Sequence, residues 1–171
     1  MKKWIFTFVL SFICAQGGHA MGFFNKPKHC VFSAVSGHLT LNGEPVKNAR
    51  LVRTGWLGHA KTKVSDEVAT DEKGYFEFPD MFQSASEFGG LAAFVIGQTL
   101  TLHKQDGMEV SIWRGSRKDG VVGGENRQAP WYMSCDLSSE ERLYMVNDSG
   151  YFTICDWDVE EDPEPLDSNE R

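Results

Sequence analysis

Four carboxylates crowd one short stretch of the chain and are the first candidates for chemistry. The stretch reads VSDEVATDEKGYFEF, and its acids are Asp66, Glu67, Asp71 and Glu72. Clustered carboxylate oxygens are hard ligands of the kind that Ca²⁺ takes in proteins. A structural alternative is that Asp71 opens a turn and accepts backbone N–H bonds, while the other acids face solvent at strand ends. We favour this alternative and predict neither a metal ligand nor a cofactor.

The histidines form no recognisable catalytic set. They are far apart in the sequence, and no Ser or Asp accompanies them in an order typical of a triad: His29, His38, His59 and His103. The chain has no G-x-S-x-G nucleophile motif, and VVGGEN lacks the Lys-Ser/Thr pair of a phosphate loop. We therefore predict no catalytic residues and a protein that is not an enzyme.

Three tryptophans are better candidates for binding. Trp56, Trp113 and Trp131 lie in or next to segments with the composition of loops. Aromatic side chains at such positions are over-represented in protein interfaces. The alternative is that they pack inside the domain and close its ends.

The first twenty residues have the pattern of a signal peptide. Lys2 and Lys3 precede an apolar stretch of 12 residues, WIFTFVLSFICA, and GHA forms a small-x-small cleavage signal that ends at Ala20. We expect cleavage near Ala20 and export to the periplasm or beyond, with an uncleaved anchor as the alternative. No later stretch is long and apolar enough to cross a bilayer, so we expect no integral membrane protein.

Acidic residues are concentrated at the carboxyl end. The whole chain has 17 basic and 24 acidic residues, and eight of the acids lie between Asp156 and Arg171. This segment contains prolines and few apolar residues, so we predict a disordered tail over 156–171. It either keeps the protein soluble or docks on a basic partner surface. Nucleic acid is not expected as a partner, because no clustered basic face is visible.

Three cysteines remain after the predicted signal peptide. An oxidising compartment permits one disulfide and leaves one thiol free. Cys30–Cys135 would close the longer loop and is slightly favoured, because Cys155 could then serve as a small apolar core residue. The alternative pairing is Cys135–Cys155.

The remaining body, 21–155, has the patterning of short β-strands. Apolar and polar residues alternate in VFSAVSGHLTLNG and again in YFEF. Strands separated by turns every eight to twelve residues predict an all-β fold, a single antiparallel β-sandwich of the prealbumin or immunoglobulin type. The predicted core residues are Val35, Leu39, Leu41, Phe76 and Phe78, and the predicted turn residues are Gly43, Pro45, Asp71 and Gly74.

Two segments, VSGHLTLNGEPVKNARL and VATDEKGYFEF, resemble the transthyretin-like, carboxypeptidase regulatory-like sandwich domains. The residues that match the pattern are Gly37, Gly43, Pro45, Val46, Ala49, Thr70, Asp71, Gly74, Phe76 and Phe78. The same front half is similar to a group of exported bacterial proteins of unknown function. The resemblance implies a sandwich of about seven strands that acts as an accessory or binding module without catalysis.

Hydroxyisourate hydrolases share the transthyretin fold, and part of their site has counterparts in this chain. His38 lies on the first strand, and WRGS, from Trp113 to Ser116, resembles the Tyr-Arg-Gly-Ser of that family. However, Tyr75 follows Gly74 where the family has an arginine, and Trp113 replaces the tyrosine. Hydrolysis would need His38 and Arg114 to converge.

These observations predict a non-catalytic periplasmic module that binds another protein with a basic surface. Two concrete versions are an immunity-type inhibitor of a secreted toxin and an accessory subunit of an envelope complex. Two alternatives are a hydrolase of the hydroxyisourate type and a glycan- or peptidoglycan-binding module that uses the tryptophans.

Overall fold

The computed structural model describes residues 28–58, 63–84 and 95–163, and these residues form strands, turns and loops without an α-helix. The all-β prediction is confirmed for this part of the chain. The predicted signal peptide, residues 1–20, lies outside the described residues. The strands are β1 Lys28–Phe32, β2 Val35–Leu41, β3 Glu44–Pro45, β4 Arg50–Leu57, β5 Val64–Ala69, β6 Tyr75–Phe78, β7 Met81–Ser84, β8 Ile96–His103, β9 Glu109–Arg117, β10 Trp131–Asp136, β11 Arg142–Val146, β12 Ser149–Thr153 and β13 Cys155–Trp157.

Two larger sheets pack face to face and make the sandwich. The five-stranded sheet has the order β13-β10-β2-β3, with β6 also paired to β2, and the six-stranded sheet has the order β11-β12-β9-β8-β4-β5. A two-stranded sheet, β1-β7, accompanies them. The described pairs are antiparallel except β2 with β10, which run parallel. The antiparallel sandwich prediction is therefore confirmed, with one parallel pair inside it.

The alternating residues of β2 and β6 produce the inner face of the five-stranded sheet. Val35, Leu39, Phe76 and Phe78 are buried, as the period of two in their strands requires. Leu41 is 47% exposed, which contradicts its prediction as a core residue. It is the last residue of β2 and pairs with Glu44 across a hairpin, beyond the area that the second sheet covers.

The turn before β6 depends on Asp71 and Gly74. The Asp71 carboxylate accepts the backbone N–H groups of Tyr75 and Lys73, both at 2.8 Å, and these bonds lower the pKa of Asp71. Gly74 has a φ of +77°, and a Cβ there would stand 2.4 Å from the carbonyl oxygen of Leu39. Any side chain at position 74 would therefore collide with β2.

The sequence NDSGYFTI, which like DEKGYFEF has Gly-Tyr-Phe shortly after an acidic residue, forms a different turn. Asn147 and Asp148 both adopt positive φ, 52° and 55°, and the following glycine does not. Two consecutive left-handed residues are typical of the two-residue hairpin turn that matches strand twist. The resemblance between the two sequence stretches therefore does not extend to their backbones.

The disulfide joins Cys135 and Cys155, so the favoured Cys30–Cys135 pairing is wrong. Cys135 in β10 lies directly opposite Cys155 in β13, with their Cα atoms 4.1 Å apart. Cys30 belongs to β1, which pairs with β7, and its buried thiol lies 3.7 Å from the Ser33 hydroxyl. Burial raises the pKa of the Cys30 thiol.

The folded domain extends beyond residue 155, which corrects the predicted start of the tail. Trp157 is buried at the end of β13. Asp162 donates its backbone N–H to the carbonyl oxygen of Met145, and its carboxylate accepts the N–H groups of Asn147 and Asp148. The ordered chain therefore continues from β13 to Asp162 at the end of the β11–β12 hairpin, and residues 164–171 are outside the described residues.

Candidate functional site

The four acids of the stretch 66–72 are used for local structure. Asp71 opens a turn, and the other three pair with cations: Asp66 with Arg53 at 2.6 Å, Glu67 with Arg50 at 2.5 Å, and Glu72 with Lys47 at 3.1 Å. Nowhere in the described residues do three or more His, Cys, Asp or Glu side chains come close enough to hold a metal ion.

Two of the three candidate binding tryptophans are in the core. Trp113 and Trp131 are 0% and 2% exposed, with ring centroids 5.0 Å apart, and Tyr151 and Trp157 pack against them. The composition of the neighbouring segments misled the prediction, because Trp113 lies in the middle of β9 and Trp131 begins β10, and both side chains are buried. Trp56 is half-buried on the outer face of β4.

His38 and Arg114 lie on different sheets and do not converge. The Nδ1 atom of His38 is 2.7 Å from the hydroxyl of Tyr132, on the five-stranded sheet. Arg114 belongs to β9 of the six-stranded sheet and pairs with Glu141 at 2.7 Å. A hydrolytic site that needs these two side chains at one point is not formed.

His38 instead belongs to an aromatic cluster on the outer face of the five-stranded sheet. Tyr75 in β6 is its direct cross-strand neighbour, and Tyr132 in β10 lies on its other side. The His38 ring is 5.3 Å from the Tyr75 ring and 6.0 Å from the Tyr132 ring. Because side chains alternate along a strand, inward burial of Phe76 and Met133 places all three rings outside.

A cleft of about 430 Å³ adjoins this cluster, within the range of small ligand sites. Its lining includes Ser36, Tyr75, Glu77, Asp80, Val122 and Pro130. We name the cluster and the cleft together the tyrosine cleft. One wall comes from β6 and the segment after it, and the other comes from the long loop between β9 and β10.

The tyrosine cleft has a negative electrostatic character. Among the described residues that line it, Glu77 and Asp80 are carboxylates and none is Lys or Arg. Glu77 accepts the Tyr75 hydroxyl at 3.1 Å, and Asp80 accepts the backbone N–H of Ala34 at 2.7 Å. Each carboxylate retains acceptor capacity, so the cleft combines anionic oxygens with aromatic rings. This combination suits recognition of a cation on an alkyl chain.

A buried arginine supports the floor of the cleft. Arg53 is fully buried, donates to the carbonyl oxygens of Ser33 and Pro79, and pairs with Asp66. Its guanidinium also lies 4.7 Å from the ring centroid of Phe78. These contacts hold the end of β6 against the inner side of the sandwich.

A second buried polar group holds the opposite wall. Glu125 accepts the backbone N–H of Ser33 at 3.0 Å and the side-chain amide of Gln98 at 2.5 Å, and it lies 3.4 Å from Arg117. The side chains of Arg117 and Glu125 are both 0% exposed. This network anchors the loop 118–130 to the sandwich.

A family model matches the region of the chain that contributes nearly all residues of the tyrosine cleft. It covers residues 35–140, more than half of the chain, and is described as a domain of unknown function, DUF6795. Comparisons with curated proteins and with solved structures gave no match. The described part of the chain contains no helix that is long and apolar enough to cross a membrane. The chain belongs to the DUF6795 family.

Proposed function

We propose that this chain is an exported, non-catalytic module that binds another protein through the tyrosine cleft. The observation that carries the proposal is the cluster of His38, Tyr75 and Tyr132 beside a cleft with two carboxylates. Tyrosine rings contribute large contact areas at low entropic cost and concentrate in interfaces. The cluster is preorganised by three neighbouring strands, which reduces the cost of ordering it on binding.

The proposed partner presents a lysine or arginine to the cleft. Glu77 and Asp80 would face its charge, and the rings of Tyr75 and Tyr132 would contact its alkyl chain and adjacent apolar groups. A basic partner also agrees with the net charge of −7 on the whole chain. Such complementarity accelerates association and makes it sensitive to salt.

The location and the fold family form part of the same proposal. The Cys135–Cys155 disulfide supports an oxidising compartment, and we assign it to the periplasm after cleavage near Ala20. We also propose that the sandwich is of the transthyretin-like, carboxypeptidase regulatory-like type. An immunity-type inhibitor and an envelope accessory subunit both fit this description. The hydrolase and the tryptophan-based glycan site have no comparable support in the side-chain geometry.

Site-specific photocrosslinking in intact cells tests this proposal. A photoreactive amino acid at Tyr132 should capture a protein through a peptide that contains Lys or Arg, whereas the same group at Leu41 should not capture it. With the partner purified, Glu77→Lys should weaken binding about tenfold or more, because attraction becomes repulsion at a partly desolvated site. Unchanged affinity for both Glu77→Lys and Tyr132→Ala would refute the tyrosine cleft as the binding surface.

A further inference from the structure

A separate apolar surface lies on the outer face of the six-stranded sheet. Leu143 and Met145 in β11 and Phe152 in β12 are 51%, 42% and 37% exposed. Leu143 and Phe152 are direct cross-strand partners, and Met145 faces Gly150 in the next pair. We name these three side chains the edge patch, because β11 is the edge strand of the sheet. Contiguous exposed apolar side chains of this kind mark interaction surfaces.

Neighbouring contacts hold the edge patch in a defined shape. The Arg114 guanidinium lies 4.1 Å from the ring centroid of Phe152 and pairs with Glu141 at 2.7 Å. The bond from Arg114 lowers the pKa of Glu141. The Phe152 ring is thus fixed from one side by a cation that is itself neutralised, so the patch presents apolar surface without a free positive charge.

The border of the edge patch carries a surplus of acidic residues. Between residues 140 and 163 the sequence has eight acidic residues and a single basic one, Arg142. Arg142 is paired with Asp156, and Arg127 lies 3.8 Å from Glu160 and 3.6 Å from Asp162, so part of this negative charge is neutralised. Asp162 lies at the end of the hairpin, since it bonds to the backbone of Met145 and to the turn beyond it. The edge patch therefore has carboxylates near both ends of β11.

We infer that the edge patch binds a protein segment in which apolar side chains alternate with lysine or arginine. Its apolar side chains would cover Leu143, Met145 and Phe152, and its cations would face the acidic border. A second copy of this chain fits less well, because it would bring two acidic borders together. The edge patch and the tyrosine cleft lie on the outer faces of opposite sheets, so the module can join two partners at once.

This joining role goes beyond a module with one binding surface. Trp113 of one sheet packs on Trp131 of the other, so a rigid core separates the two outer faces. The edge patch also lies outside the range 35–140 that the family model matches. A partner at the edge patch would therefore contact the strands after residue 140, and the joining role rests on the proposed function of the tyrosine cleft.

Short fluorescent peptides provide the test. The first alternates leucine and lysine, the second alternates leucine and glutamate, and the third alternates serine and lysine. Fluorescence anisotropy should show that the leucine–lysine peptide binds at least about tenfold more tightly than either other peptide, because each lacks one half of the required chemistry. Equal binding of the leucine–glutamate peptide would overturn the inference.

Matched variants locate the binding. The double variant Leu143→Ser and Phe152→Ser should bind the leucine–lysine peptide at least about tenfold more weakly. Leu41→Ser, which alters an exposed leucine on the other sheet, and Tyr132→Ala, which alters the tyrosine cleft, should leave the affinity unchanged. Thermal melting establishes that each variant is folded. Loss of binding in Leu41→Ser or Tyr132→Ala, or retention in the double variant, would refute the edge patch.

Sedimentation of the wild-type chain without a peptide tests whether a second copy of the chain covers the edge patch. The inference expects a monomer at the concentrations of the peptide assay. A dimer that the Leu143→Ser and Phe152→Ser double variant abolishes would show that a second copy covers the patch, and the proposal of a basic partner segment would then be wrong.

Discussion

Removing the buried Glu125 carboxylate should destabilise the protein severely. In Glu125→Ala, the backbone N–H of Ser33 and the amide of Gln98 lose their acceptor, and Arg117 loses its fully buried counter-charge. Neither the Ser33 N–H nor the Gln98 amide can reach water, because both residues are 0% exposed. The loop 118–130 would lose its main attachment to the sandwich.

The expected magnitude follows from the contacts that are lost and kept. Each buried donor left without a partner costs about 1–3 kcal/mol. Deleting one member of a buried ion pair costs about 3–5 kcal/mol. Arg117 keeps its bonds to the carbonyl oxygens of Cys30 and Val121, which offset part of the loss. Because these costs overlap, we expect a decrease of about 3 kcal/mol or more in the free energy of unfolding.

Urea denaturation of the purified protein measures this change directly. The midpoint should fall while the dependence on urea concentration stays the same, and the melting temperature should fall by about 6–12 °C. Asp119→Ala is the matched control, because Asp119 pairs with the same Arg117 nitrogen at 3.3 Å but is 42% exposed. Its loss should stay below about 1 kcal/mol. Equal losses in the two variants, or a loss below about 1 kcal/mol in Glu125→Ala, would refute the reasoning.

Three further predictions concern the turns, the disulfide and acid stability. Gly74→Val should prevent folding, as judged by circular dichroism, whereas Gly43→Val, at a similar φ with open space, should leave a folded protein. Cys135→Ser should lower the free energy of unfolding by about 3 kcal/mol in urea titrations, and an equal loss in Cys30→Ser would contradict the observed pairing. Bonds from Ser138 lower the pKa of Asp136 in the folded protein, so stability should decline as the pH falls below about 4, and Asp136→Asn should flatten that decline in acid titrations.

The fold class followed from patterns that act over a few residues. Alternation in β2 and β6 indicated strands, and the left-handed position at Gly74 was visible as a turn signal. Local steric preferences and a period of two are enough for such predictions. Leu41 shows their limit, because alternation continues to the end of β2 although the covering sheet does not.

The candidate site was only partly visible in the sequence. His38 attracted attention through a resemblance to an enzyme, but the structure places it beside Tyr132, a residue 94 positions away. Arg53 had a readable signal, since it shares the inward face of β4 with Leu51. Glu125 had none, because its hydrogen-bond partners Ser33 and Gln98 lie 92 and 27 positions away and its surrounding loop has no periodicity.

The disulfide shows most clearly what the sequence could predict and what only the strand order decided. Counting the cysteines predicted one bridge and one free thiol, but the choice of partners depended on strand order. Because β13 returns beside β10, Cys155 meets Cys135 and Cys30 is left in the core. Loop entropy favoured the other pairing, and it was outweighed by the register that the folded sheet imposes.

The sequence by itself determined an all-β chain, a surplus of negative charge and the positions of its turns, because these depend on local sterics and composition. The tertiary structure alone decided which polar groups were buried, which aromatic rings reached the surface and which carboxylates lined a cleft. Those properties arise from contacts between residues far apart in the chain, and a short window of sequence contains no information about which distant strand lies beside it.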